Sequence, residues 1–134
     1  MLLAAAAVPG CGGSDDDTTS RPQAVAGAQR GVLDTIDRLQ TAARSGDGRR
    51  ICEHVFTPQL ARSIKGASRK SCSAGVRRRL FRPNTSFAVQ RGIEVSGRTA
   101  TAVIRDQTGA VSTLHMVRQA GRWRIDRVTP RGGS

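Results

Sequence analysis

The sequence predicts an α+β domain in which a long N-terminal helix packs on a curved antiparallel sheet. Three observations predict this class. Apolar residues recur every three or four positions in the first half of the domain, which is typical of helices that bury one face. From residue 87 the apolar period becomes two, and short glycine-containing turns separate the segments, which indicates an antiparallel meander. Because the helices precede the strands instead of alternating with them, the order favours α+β over α/β.

The longest predicted helix begins near Gln23, extends for about 20 residues and ends at residues 45–48. Its apolar stripe consists of Val25, Ala28, Val32, Ile36, Leu39 and Ala43. A short helix should follow over residues 51–56. Thr57 and Pro58 then fit an N-cap and a first helical residue, and the resulting helix should break at residues 66–68. The last predicted helix turns Cys72, Val76 and Leu80 inward.

Four strand segments are predicted after this helical half. They are residues 87–95 with a bulge at Gly92, then 99–105, 111–118 and 122–128. A two-residue turn at Ala120 and Gly121 would join the last two. With that register, the side chains that face the core are Leu114, Met116, Trp123 and Ile125.

The composition is strongly basic and leaves room for one domain. The chain has 134 residues, with 22 Lys and Arg against 10 Asp and Glu. Without residues 1–22, which hold three acids and one arginine, residues 23–134 carry a net charge of +14. Such a surface attracts polyanions such as anionic lipid headgroups, wall polymers or nucleic acid. A GC-rich genome also produces an excess of arginine, so the alternative is that these residues bind no ligand.

The cysteines predict a disulfide and no metal site. Cys52 and Cys72 form an even pair inside the domain, and in an oxidising compartment such pairs bridge. Metal binding is not expected, because the chain has no CxxC motif and its only histidines are His54 and His115. No cofactor motif occurs either: the chain lacks a glycine-rich phosphate loop and a GxSxG nucleophile elbow.

The N-terminus resembles the lipobox of bacterial lipoproteins. An apolar run, Leu2 to Val8, precedes Pro9, Gly10 and Cys11, and an acidic, glycine-rich stretch follows. The resemblance implies that Cys11 is lipidated and becomes the mature N-terminus, which would anchor the protein on the extracytoplasmic face of the cell membrane. The apolar run lacks the usual preceding positive charge, so we expect the signal peptide to start upstream of Met1. The alternative is a cytosolic protein with an alanine-rich leader.

The domain resembles the nuclear transport factor 2-like superfamily, including its SnoaL-like members and small exported lipoproteins. The resemblance covers roughly residues 25–128 and rests on three segments: the long helix followed by Ile51 and Cys52, the strand Arg98–Val103, and the ending Leu114–Ile125 with its Gly-x-Trp turn. It implies a cone-shaped, cystatin-like fold whose sheet wraps the long helix, often with a pocket at the open end. Known members include enzymes, protein-interaction domains and lipoproteins.

These observations divide the chain into four parts. Residues 1–10 are the expected signal peptide, 11–22 the lipidated cysteine with a disordered tether, 23–130 the domain and 131–134 a disordered tail.

Two candidate sites follow from the sequence. The first is the basic segment, residues 62–82, which holds eight basic residues and no acid. They are Arg62, Lys65, Arg69, Lys70, Arg77, Arg78, Arg79 and Arg82. It would bind an anionic membrane surface or wall polymer, or an envelope protein, and the alternative is a solvated helical face. Phe81 is its only aromatic residue, which disfavours nucleic acid as the partner.

The second candidate is His115 with Asp126, which the two-residue turn would place opposite each other on adjacent strands. An aspartate beside a histidine suits a general base, but the same register makes them a solvent-facing pair, and we assign no catalytic residue. The sequence thus predicts a membrane-tethered envelope lipoprotein, more in keeping with a binding role than with an enzyme. The alternative is a small enzyme or a carrier of a hydrophobic ligand that uses a pocket in the cone.

Overall fold

The computed structural model describes residues 14–90 and 92–131. Its elements in chain order are α1 (Ser14–Ser45), α2 (Gly48–Arg50), the π-helix π1 (Ile51–Val55), α3 (Pro58–Ser68), α4 (Cys72–Gly75), the π-helix π2 (Val76–Leu80), β1 (Phe87–Val89), β2 (Glu94–Ser96), β3 (Thr99–Asp106), β4 (Val111–Gln119) and β5 (Arg122–Arg131). Helices precede an antiparallel sheet, so the predicted α+β class is confirmed. The leader and Cys11 lie outside the described residues.

Helix α1 starts earlier than the sequence predicts. It is helical from Ser14, so residues 14–22 of the stretch expected as a disordered tether are helical instead. The run of aspartates at residues 15–17 lies at the helix N-terminus, where the helix dipole favours negative charge.

The packed part of α1 matches the predicted stripe. Val32, Ile36, Leu39 and Ala43 are buried and Ala28 is partly buried, all on one side of the helix. The buried Thr35 lies beside this stripe and its hydroxyl donates to the Trp123 carbonyl oxygen at 2.9 Å. Thr35 therefore also fixes the helix along β5.

The sheet has the strand order β1-β3-β4-β5, and β2 also pairs with β3. Strands β1 and β2 lie on the same edge of β3, because β1 pairs with its end and β2 with its beginning. The segment predicted as one strand with a bulge at Gly92 is thus two short strands. Strand β5 reaches Arg131, one residue into the tail that was expected to be disordered.

The core lies between α1 and one face of the curved sheet. Leu114, Met116, Trp123 and Ile125 are all buried there, as predicted. Trp123 packs so closely on Gly31 of α1 that a β-carbon at residue 31 would lie 2.7 Å from Cδ1 of the indole. This close approach allows the helix to lie directly on the sheet.

The short helices follow the predicted caps. Thr57 caps α3, its side chain accepting a hydrogen bond from the Leu60 amide at 3.1 Å, and Pro58 is the first helical residue. The helix ends at Ser68, the last residue of the predicted break at residues 66–68, and Arg69 after it takes a left-handed conformation with φ of 55°. A single αL residue commonly ends a helix in this way.

Candidate anionic-surface site

The basic segment occupies α3, α4 and π2, and three features hold these elements together. A disulfide joins Cys52 of π1 to Cys72 of α4, with the Cα atoms 6.2 Å apart, so the predicted pairing is present. Gly75 brings α4 against α3, because a β-carbon there would lie 2.6 Å from Cγ2 of Ile64. The Ser71 hydroxyl caps α4 by accepting from the Ala74 amide at 3.1 Å.

All eight basic side chains of this segment are exposed. None of them forms an ion pair with a carboxylate among the side chains that the structure describes; the ion pairs found there join Asp34 to Arg38 and Glu53 to Arg49 and His54. Their charges are therefore compensated mainly by solvent ions, which an anionic surface can replace.

The local structure spreads these charges over two helical surfaces. In α3, Arg62 and Lys65 are three residues apart and share one side of the helix, and Arg69 and Lys70 follow in the turn after it. In π2, three successive arginines follow the buried Val76 and are exposed, while Leu80 after them is partly buried. The apolar residues fix the helices to the core, and the basic ones cover their outer sides.

The predicted pairing of His115 with Asp126 is wrong. Strands β4 and β5 keep the predicted register from the turn as far as Met116, which faces Ile125, but a bulge follows. As a result His115 faces Arg127, and Asp126 is the extra residue.

Asp126 instead binds the start of α3. Its Oδ1 accepts a hydrogen bond from the Thr57 hydroxyl at 2.9 Å, and the Thr57 amide donates to the carbonyl oxygen of Ile125, also at 2.9 Å. Thr57 thus pairs with β5 through both its backbone and its side chain. The bulge thus lets Asp126 join α3 to the sheet. His115 and Asp126 form no catalytic dyad.

The surroundings of His115 favour its neutral form. Burial lowers the pKa of His115, and the nearby charge of Arg127 lowers it further. A histidine is a stronger general base when a neighbouring carboxylate stabilises its protonated form, but the residue that faces His115 is the cation Arg127. His115 is therefore poorly placed for the role considered from the sequence.

The interior of the cone is filled by aromatic and aliphatic side chains. Phe81 and Phe87 pack against each other with ring centroids 5.9 Å apart. A groove of about 780 Å³, lined mainly by the residues after π2 and by the β3–β4 turn, adjoins these rings on the outside, whereas the cavity that Phe81, Phe87 and Ile104 line measures about 30 Å³. A cavity of that size holds a water or two, whereas sites for small organic ligands measure about 300–1,000 Å³.

Asp106 lies near this end of the cone and serves its own turn. Its Oδ1 accepts hydrogen bonds from the Thr108 hydroxyl and from the Thr108 and Ala110 amides. These hydrogen bonds hold the pKa of Asp106 below its usual range, and the bond from the Thr108 side chain has the largest effect. A carboxylate whose Oδ1 accepts three hydrogen bonds from its own turn serves to close the β3–β4 turn and is a poor candidate for catalysis.

The described residues offer neither a metal site nor a membrane-spanning helix. No group of three or more His, Cys, Asp or Glu side chains within residues 14–90 and 92–131 could hold a metal ion. Of the helices that the structure describes, none is long and apolar enough to cross a membrane.

Solved structures show what this fold is similar to. A nuclear transport factor 2-like protein of unknown function from Silicibacter pomeroyi matches with a TM-score of 0.58 and 15% identity, over 80% of this chain and 97% of its own. A second such protein of unknown function, from Shewanella baltica, matches with a TM-score of 0.52 and 15% identity, over 74% of this chain and 88% of its own. No protein-family model and no curated protein sequence matches the chain. The fold is therefore nuclear transport factor 2-like, as the sequence resemblance implied.

Proposed function

We propose that this nuclear transport factor 2-like domain is a non-catalytic envelope lipoprotein, and that its basic segment binds an anionic membrane surface or wall polymer. The observation that carries the proposal is the set of eight exposed basic side chains on α3, on the turn that follows it, and on π2 and the residues after it, none ion-paired within the described part of the chain. Each basic residue near an anionic membrane contributes about 1 kcal/mol of attraction, so even half of them acting together would produce measurable binding.

The filled cone supports a binding role over the alternative. A hydrophobic-ligand carrier would need an apolar space inside the cone, but the cavity beside Phe81 and Phe87 measures about 30 Å³, and the groove of about 780 Å³ that adjoins it is lined by charged residues such as Arg82 and Asp106. The catalytic dyad considered from the sequence is also absent, because His115 faces Arg127 and not Asp126. These observations leave the exposed basic segment as the better supported site.

The proposal includes the lipid anchor. The disulfide Cys52–Cys72 is in keeping with an oxidising compartment, and the lipobox-like sequence before Cys11 supplies the attachment point. Intact mass of the protein extracted from membranes should show a diacylglyceryl addition at Cys11, and Cys11→Ala should release the protein from the membrane fraction. An unmodified chain in the cytosol would contradict this part of the proposal.

Vesicle binding tests the basic segment. The Cys11→Ala chain, which cannot be lipidated, should sediment with vesicles that contain phosphatidylglycerol and remain in solution with neutral phosphatidylcholine vesicles. Binding should weaken as salt rises, because exposed charges are screened beyond about 8 Å at physiological ionic strength. The triple variant Arg77→Glu, Arg78→Glu and Arg79→Glu should lose most of the binding.

A matched variant controls for net charge. Arg98, Arg105 and Arg118 are also exposed and lie outside the basic segment. Reversing these three arginines to glutamate changes the net charge equally, and should weaken vesicle binding much less. Equal losses in the two triple variants would mean that overall charge, and no particular surface, drives the interaction.

A further inference from the structure

A second group of basic side chains lines a cleft that the proposed function does not use. The cleft lies between α1, the α2–π1 segment and the first residue of β5, and its volume is about 470 Å³. Its charged and polar lining residues are Asp37, Arg38, Thr41, Arg50, His54 and Arg122. The volume falls within the range of about 300–1,000 Å³ that is typical of small-molecule sites.

The charges in this cleft are unbalanced. Arg38 is held by Asp34 at 3.1 Å, but Arg50 and Arg122 form no ion pair with a carboxylate whose side chain the structure describes. Three arginines from three separate elements therefore line one concave surface, whose only acidic lining residue is Asp37. Like charges repel one another, and a cleft concentrates their field, so an anion in the cleft would relieve the repulsion.

The donors favour a phosphate group over a single carboxylate. A guanidinium presents a planar fork of N–H groups that matches phosphate or carboxylate oxygens in pairs. A phosphate monoester offers three terminal oxygens and up to two negative charges, whereas a carboxylate offers two oxygens and one charge. Arg50, Arg122 and the Thr41 hydroxyl together provide more donors than one carboxylate can accept.

Asp37 adds a requirement on the rest of the ligand. A carboxylate beside the guanidinium groups repels a bare dianion, but it can accept a hydrogen bond from a hydroxyl or amino group. A ligand that carries such a donor next to its phosphate would use both kinds of lining side chain.

We infer that this cleft binds a small soluble phosphorylated compound, with Arg50 and Arg122 holding the phosphate and Asp37 accepting from a neighbouring hydroxyl or amino group. The site is separate from the basic segment, so it can exist whether or not that segment binds a surface.

Nuclear magnetic resonance titration of the full chain tests the inference. The probes are inorganic phosphate and glycerol 3-phosphate, added at constant ionic strength maintained with sodium chloride. The amide signals of Arg50, His54 and Arg122 should shift, and glycerol 3-phosphate should bind more tightly than inorganic phosphate because it carries hydroxyl groups.

Variants that should change the affinity in opposite directions make the test specific. Arg50→Gln and Arg122→Gln should each weaken binding about 10-fold or more, since a hydrogen bond between charged groups contributes about 1.5–3 kcal/mol. Asp37→Asn should strengthen the binding of inorganic phosphate by about fivefold, because it removes a repelling charge. Arg118→Gln is the matched control: Arg118 is exposed on the same hairpin but does not line the cleft, so its loss should change the affinity less than about twofold.

Three results would overturn the inference. The first is that no amide signal of the cleft shifts at probe concentrations up to about 20 mM. The affinity would then be weaker than millimolar. The second is an equal effect of Arg118→Gln and Arg122→Gln. The third is tighter binding of monomeric dihexanoyl phosphatidic acid than of glycerol 3-phosphate, which would assign the cleft to a lipid headgroup instead of a soluble compound.

Discussion

The disulfide between Cys52 and Cys72 should be a major contributor to the stability of this small domain. It closes a loop with a sequence separation of 20 and joins π1 to α4, the helix that starts the second half of the basic segment. In the chain-entropy model, a cross-link over such a loop removes about 11 cal/mol/K from the unfolded state, or about 3 kcal/mol at 25 °C. The double variant Cys52→Ala, Cys72→Ala should therefore unfold with a free energy lower by about 3 kcal/mol.

Urea denaturation of oxidised and reduced protein provides the assay. Reduction of the unmutated chain should lower the free energy of unfolding by about the same amount, and reductant should leave the double variant unchanged. Each single alanine variant should lose nearly as much as the double one, because both break the same bond. The m-value should rise as well, since an unfolded chain without the cross-link exposes more surface.

The reasoning would be refuted if the reduced protein were as stable as the oxidised one to within about 0.5 kcal/mol. The unfolded-state entropy would then be unimportant here, or strain in the folded state would cancel it. A stability loss without any change in m-value would point to lost contacts in the folded state instead.

Three further predictions concern single side chains. Ala120 has φ of 50° in the β4–β5 turn, a conformation that asparagine adopts more readily, so Ala120→Asn should raise the free energy of unfolding by about 0.5–1 kcal/mol in thermal denaturation. Gly31→Ala should lower it by about 1–3 kcal/mol, because the added β-carbon would lie 2.7 Å from the Trp123 ring, and tryptophan fluorescence should show the displaced indole. The lowered pKa of Asp106 means that its contribution to stability is present above the unfolded pKa near 3.8 and is lost as pH falls through the lower folded value. In Asp106→Asn, the acid-dependent part of the stability curve in that window should be smaller, and an unchanged curve would contradict the assignment.

Much of the fold could be predicted because its local signals agree with its packing. The apolar stripe of α1, the Thr57 cap and the alternation on β4 each appear in the sequence at the period of the element that forms. The cross-strand register near the β4–β5 turn was also predictable, since a two-residue turn and the buried side chains Met116 and Ile125 specify the same pairing.

The bulge at Asp126 could not be predicted in this way. It depends on Thr57, a residue far away in the sequence whose hydroxyl and amide both bind this part of β5. Strand alternation carries no signal for such a contact, and a single extra residue is enough to separate His115 from Asp126. The error in the predicted dyad therefore follows from a tertiary interaction that overrides a correct local turn.

The basic segment and the cleft also differ in whether the sequence predicts them. The first is a run of charges that is continuous in sequence, so composition alone indicates it. The second draws Arg38, Arg50 and Arg122 from α1, α2 and β5, and only the folded arrangement brings them to one surface.

The central claim is that the basic segment is the surface that contacts anionic lipid. Paramagnetic relaxation from spin-labelled lipids in anionic nanodiscs, measured on the isotope-labelled full chain, tests it most directly. We predict that amide signals of α3, α4 and π2 broaden, while those of β3 and the β3–β4 turn do not. Broadening confined to the sheet, or none at all at low salt, would contradict the claim.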